Sequence, residues 1–240
     1  SPIPNPQSPI LFYLILLFIT LIKSIKNCKK IKMEENKNNI SAIKIGLLGT
    51  TAVGKTAIVN SIMGLEFSED MLMTIGSDKS EKKFKLKNDK DIILVFWDVC
   101  GAETKRPIAM NYMKSAQGII LIFDFTQKKS FDDLNSWLVL IKDYLVDPLI
   151  VIFGNKIDIE KDKWEVTSEE ANKFAKEKGI AFFETSAKNG KGINEGLSYF
   201  VNAVYNKIKG IDDKKIKIDN TKTNNNSNCA GNKKGKNNKK

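Results

Sequence analysis

The chain is nearly without arginine. Of its 39 basic residues, Arg106 is the one arginine and the rest are lysine. With Asn and Ile so abundant, this reads as the codon bias of an AT-rich genome, not as selection for a ligand. Cysteine is scarce too. Cys28, Cys100 and Cys229 are isolated from one another, so they supply neither a disulfide framework nor a zinc site, and a reducing cytosol fits. Apolar runs long enough for a bilayer are missing. The run at residues 10–22 has 13 residues, one of them a threonine. It would span about 20 Å as a helix, against roughly 30 Å of hydrocarbon. Residues 1–9 carry no charge and Lys23, Lys26, Lys29, Lys30 and Lys32 follow the run, the reverse of a secretory signal. Met33-Glu34-Glu35 reads as the natural start. Three readings fit what precedes it: an upstream stretch foreign to the working protein, a membrane anchor, or a peptide bound to another surface.

Basic charge is unevenly placed. The net charge is +11, yet residues 41–205 hold 22 basic and 23 acidic residues. Residues 1–40 carry 6 basic and 2 acidic residues, and residues 206–240 carry 11 and 3. A near-neutral middle with basic ends argues against a nucleic-acid-binding face and for a basic tail.

What is present is a phosphate loop. Gly49-Thr50-Thr51-Ala52-Val53-Gly54-Lys55-Thr56 has the spacing G-x-x-x-x-G-K-[ST]. An apolar strand-like run at 43–48 precedes it and a helix is expected over 55–63. A chance glycine-rich turn would not sit between strand and helix in this way. The backbone N–H groups of Thr51, Ala52, Val53, Gly54, Lys55, Thr56 and Ala57 are expected to wrap phosphates at the positive end of the helix. Lys55 is expected at the β- and γ-phosphates, and the Thr56 hydroxyl on Mg²⁺. Two further motifs each follow a strand. Asn155-Lys156-Ile157-Asp158 follows the run 149–154, and Glu184-Thr185-Ser186-Ala187-Lys188 follows 181–183. A carboxylate at Asp158 can accept from the ring N–H and exocyclic amine of guanine, a donor pair adenine lacks. Asn155 is expected to brace the loop and Lys156 to cover one ring face. Ser186, Ala187 and Lys188 complete the base end, with the Ala187 N–H toward the guanine carbonyl.

On these motifs, with Thr74-Ile75-Gly76 and Trp97-Asp98…Gly101, residues 42–208 resemble a Ras-superfamily small GTPase, most like the Rab branch. The resemblance implies a guanine-nucleotide switch using GTP, GDP and Mg²⁺. It implies that Thr74 ligands the ion and senses the γ-phosphate, that Asp98 holds the ion through water, and that the Gly101 N–H meets the γ-phosphate. Lys55, Thr74 and Gly101 are then the catalytic candidates, and Thr56, Thr74 and Asp98 the metal set. Phe67 stands where the family places an aromatic ring against guanine, the alternative being a core phenylalanine. Effector, exchange-factor and activator proteins are implied but not named, in vesicle trafficking or signalling. A monomer in the cytoplasm, or peripheral on endomembranes, is expected.

Departures matter as much. The family reads W-D-T-A-G-Q-E where this chain has Trp97-Asp98-Val99-Cys100-Gly101-Ala102-Glu103. Ala102 replaces the glutamine that orients attacking water, and a methyl group neither donates nor accepts. Slow hydrolysis follows, or a GTP-held scaffold with none. A kinase on the same loop is disfavoured by residues 155–158. Lys79 takes the place of the aromatic after Asp78, so the usual effector surface is rewritten. Cys229 is followed by eleven residues, so no C-terminal prenylation motif is expected.

Three parts are expected: an extension at 1–40, a G domain at 41–208 and a disordered tail at 209–240. The tail's Lys233, Lys234, Lys236, Lys239 and Lys240 suit weak attraction to an anionic membrane surface. A solvated tail fits equally. The G domain is expected to be α/β, with a six-stranded, mostly parallel sheet covered on both faces. Strands are expected near 82–86, 92–97 and 118–123, and helices near 130–145, 168–178 and 193–209.

Overall fold

The computed structural model describes residues 41–69, 74, 76–101 and 106–211. The expectations for residues 1–40, for Ala102 and for the tail with Cys229 lie outside the described residues. Six strands form one sheet: β1 (Ala42–Leu48), β2 (Ser77–Lys85), β3 (Asp91–Val99), β4 (Gly118–Asp124), β5 (Leu149–Asn155) and β6 (Ala181–Glu184). Their spatial order is β2-β3-β1-β4-β5-β6, and only the β2–β3 pair is antiparallel. The helices are α1 (Lys55–Met63), α2 (Arg106–Met113), α3 (Lys128–Asp132), α4 (Leu134–Tyr144), α5 (Ser168–Lys178) and α6 (Ile193–Lys209).

The middle strands are apolar throughout because both sheet faces are covered. All seven residues of β4 are buried. Ile43, Ile45 and Leu47 pack with α1 and α6 on one face, while Leu48, Ile119 and Leu121 pack with α2, α4 and α5 on the other. At the edge, β2 reads Ser-Asp-Lys-Ser-Glu-Lys-Lys-Phe-Lys and alternates in exposure. It starts at Ser77, earlier than its own apolar content predicts, because β3 pairs with it from Ser77↔Val99 to Lys85↔Asp91. The single helix expected over 130–145 is two, interrupted at Asp133, whose φ of −74° and ψ of −11° stay helical. Since β1 and β3 to β6 run parallel, their carboxyl ends share one edge, where the loops carrying the five motifs gather.

Candidate nucleotide-binding site

Between β1 and α1 the chain turns through Gly49 (φ +148°) and Gly54 (φ +95°). A Cβ at Gly49 would stand 2.3 Å from the Ile122 carbonyl oxygen, and one at Gly54 2.4 Å from Asn155 Nδ2. Both positions therefore need glycine for conformation and for space. Helix α1 starts at Gly54 with no side-chain cap and no acid in its first turn. Helix α5, by contrast, is capped by the Thr167 side chain, which accepts from the Glu170 N–H, and has Glu169 and Glu170 in its first turn. The first N–H groups of α1 are left for an outside anion.

Lys55 is buried, and its Nζ donates to the carbonyls of Gly49 (3.1 Å) and Thr50 (2.8 Å). Burial pushes its ammonium down to about 8, opposed by the nearby Asp98 carboxylate and by Cys100. An anion seated in the loop would favour the charged form. Gly101 closes this end. A Cβ there would lie 2.3 Å from Lys55 Nζ and 2.6 Å from the Gly49 carbonyl oxygen.

Three oxygen donors converge beside the lysine. The Thr56 hydroxyl donates to Asp98 Oδ2, and Thr74 Oγ1 lies 2.8 Å from Thr56 Oγ1 and 3.5 Å from the same carboxylate oxygen. Asp98 Oδ1 is buried with no hydrogen-bond partner. Burial raises the Asp98 pKa, against the Thr56 hydrogen bond and the Lys55 charge that lower it. One orphaned carboxylate oxygen beside two hydroxyls is a donor set that fits a small hard cation such as Mg²⁺. Those are the predicted metal residues.

At the other end Asn155, 1% exposed, holds two loops together. Its Nδ2 donates to the Val53 carbonyl at 2.9 Å, and its Oδ1 accepts from the Ala187 N–H at 3.1 Å. Asp158 Oδ1 accepts from the Ser186 hydroxyl at 2.6 Å, which fixes the carboxylate. Lys156 has φ +70° and pairs with the buried Asp124 at 2.6 Å. Phe67 is 40% exposed, so it is not a core residue. Lys188 Nζ lies 5.9 Å from its ring centroid and 2.8 Å from Glu69 Oε1.

A cleft of about 570 Å³ joins the two ends. Of the predicted residues, Thr51, Ala52, Gly54, Lys55, Thr56, Ala57, Phe67, Thr74, Gly101, Asn155, Lys156, Asp158, Ala187 and Lys188 line it. Val53 and Ser186 stand behind the wall, fully buried, as partners of Asn155 and Asp158. Sequence reasoning did not find Ser68, Glu69, Val99, Cys100 and Ile159 in the lining. Their positions beside Phe67, Gly101 and Asp158 are the one signal that pointed to them. On the sheet, Lys79 lies opposite Trp97 in register and pairs with Glu81 at 2.6 Å, while Trp97 stacks on Tyr112 with centroids 5.8 Å apart. No described helix is long and apolar enough to cross a membrane.

Comparison with known proteins agrees with this geometry. The Ras family pattern matches residues 44–206. The chain is 34% identical over 166 residues to Ras-related protein Rab-11C of Dictyostelium discoideum, covering 69% of this chain and 73% of that one. It is 34% identical over 168 residues to human Ras-related protein Rab-12, covering 69% and 68%. Ras-related protein Rab-13 of Bos taurus is 37% identical over 158 residues, covering 65% and 76%. With the phosphate loop, the strand-end carboxylate and the two base loops on one sheet edge, the chain belongs to the Ras family of small GTPases, as a divergent Rab-like member.

Proposed function

We propose that residues 41–208 form a guanine-nucleotide switch that holds GTP or GDP with Mg²⁺ and hydrolyses GTP slowly. The observation that carries this is Asn155. Through its two hydrogen bonds one side chain ties the phosphate loop to the base loop, so both ends of the cleft are set by a single buried group. The open start of α1 takes the phosphates and Lys55 gives their oxygens a cation. Asp158 accepts the two guanine donors, and Phe67, Lys156 and Lys188 flank the ring. Thr56, Thr74 and Asp98 would hold Mg²⁺, which when bound would neutralise phosphate charge. The Gly101 N–H would follow the γ-phosphate, a reading supported by the lack of room for a Cβ beside Lys55 Nζ.

Ala102 supplies no water-orienting group, and positioning is most of what a protein contributes to phosphoryl transfer. Turnover is therefore below the Ras-type intrinsic rate of about 3–5 × 10⁻⁴ s⁻¹. A GTP-held scaffold with negligible turnover is the second reading, favoured by the same residue. A role in vesicle trafficking, attached peripherally to membranes, follows from the likeness to Rab proteins. With Lys79 in place of an aromatic beside Trp97, the partners differ from those the family pattern would select.

Nucleotide extracted from purified protein, followed over hours with Mg²⁺, tests the reading. Bound GTP or GDP without adenine nucleotide is expected, and equal affinity for ATP and GTP would refute it. Slow conversion of GTP identifies the switch. Its persistence unchanged over hours identifies the scaffold.

A further inference from the structure

Asp124 enters the site described so far only as the ion-pair partner of Lys156. It ends β4, in register with Asn155 on β5, and is fully buried. Its Oδ1 accepts from the Thr126 N–H and the Thr126 hydroxyl, both at 2.8 Å. Its Oδ2 has no hydrogen-bond partner apart from the 2.6 Å ion pair with Lys156 Nζ. A buried carboxylate is costly unless a cation meets it. Lys156 therefore has one strongly preferred place for its ammonium, on the Asp124 carboxylate.

That constraint acts on a residue already under strain. Lys156 holds φ +70°, a conformation disfavoured for any side chain with a Cβ, and such a residue persists only when its surroundings over-determine it. On one side of it Asn155 is fixed by its two hydrogen bonds, and on the other the Ile159 N–H donates to the Lys156 carbonyl at 3.1 Å. Between these backbone anchors the ion pair pins the side chain. Held by this ion pair, Lys156 lines the cleft, and Asp158, two residues on, lines it too.

We propose that Asp124 is a positioning residue for base recognition, acting through Lys156 to hold the wall on which the ring of a purine nucleotide lies. This rests on the guanine-nucleotide reading above. The tasks divide: Asp124, through Lys156, holds the ring face, and Asp158 reads the ring edge.

A double-mutant cycle on the full chain tests it, with Asp124→Asn, Lys156→Met and the pair. The readouts are affinity and release rate for GDP and for IDP, which lacks the exocyclic amine. Asp124→Asn is expected to weaken both nucleotides about tenfold and to leave their ratio unchanged, since a ring face is blind to the edge substituent. Lys156→Met is expected to do the same, and the pair no more than the larger single loss, because groups acting as one unit are not additive. Losses that multiply, unchanged GDP affinity in Asp124→Asn, or a loss confined to GDP each overturn the proposal. Where Asp124→Asn does not fold, Thr126→Val carries the test. It removes one donor that orients the carboxylate, so about threefold faster release of both nucleotides is expected from loss of a single hydrogen bond, and unchanged release overturns the proposal. Failure of the unaltered protein to prefer GDP over ADP would instead remove the guanine reading itself.

Discussion

Replacing Asn155 with alanine removes a side chain that bridges the phosphate loop and the base loop. Two groups lose their partners: the Val53 carbonyl and the Ala187 N–H, in residues 0% and 7% exposed. Each buried polar group left unsatisfied costs about 1–3 kcal/mol. The space left by the amide is polar enough to admit water, which draws the total toward the lower half of that range, about 3 kcal/mol for the two. Because both groups belong to loops that line the cleft, the loss falls on nucleotide affinity as well as on stability. At about 1.4 kcal/mol per tenfold, affinity for GDP should drop roughly a hundredfold. Thr185→Val is the matched control. It deletes a buried hydroxyl that donates to the Gly154 carbonyl at 3.2 Å, a bond that does not reach the phosphate loop. Its expected cost is about 1 kcal/mol of stability with GDP affinity within about twofold. Equilibrium titration with a fluorescent GDP analogue and urea unfolding of both variants give the two quantities. If Asn155→Ala loses stability like the control but binds GDP as the unaltered protein does, the bridge does not position the site and the argument fails.

Four further outcomes are expected. Ala52 sits at φ +65° in the phosphate loop, so Ala52→Gly should raise stability by about 1 kcal/mol in urea unfolding through relief of a left-handed alanine. Asp158→Asn should weaken GTP and admit xanthine nucleotides, since its two acceptors become one acceptor and one donor; competition binding reads this directly. Ala102→Gln should accelerate single-turnover GTP hydrolysis, and hydrolysis by the unaltered protein at an ordinary family rate would mean that another group orients the water. A chain starting at Met33 should remain folded and bind GDP, because every motif and every described core strand lies downstream; loss of binding would place residues 1–32 in the fold.

Local chemistry made much of this protein legible. Helices over 55–63, 168–178 and 193–209 were read at their observed bounds, because their ends carry their own signals. Thr167 caps α5, and left-handed Gly64, Gly179 and Gly210 stop α1, α5 and α6. The phosphate loop was equally plain, since its glycines, lysine and threonine act within eight consecutive residues. The first half of strand β2 was not: a strand is expected near 82–86, and the lysine-rich stretch from Ser77 joins it through pairing with β3 and not through its own propensity. The break at Asp133 left no local signal, and its helical dihedrals give no physical account of it.

The amino-acid sequence by itself pointed to the ligand class, the α/β fold and most of the cleft's lining, though not to Ser68, Glu69, Val99, Cys100 or Ile159, since most of the motifs are short segments that directly follow a strand. Tertiary structure alone decided how those segments hold one another. Asn155 reaches Val53 across 102 positions, Lys188 meets Glu69 across 119, and Asp124 meets Lys156 where β4 and β5 lie in register. Such contacts leave no periodicity or spacing to read. They exist because a parallel sheet brings the carboxyl ends of distant strands to one edge, and because a buried amide or carboxylate must find its partner there.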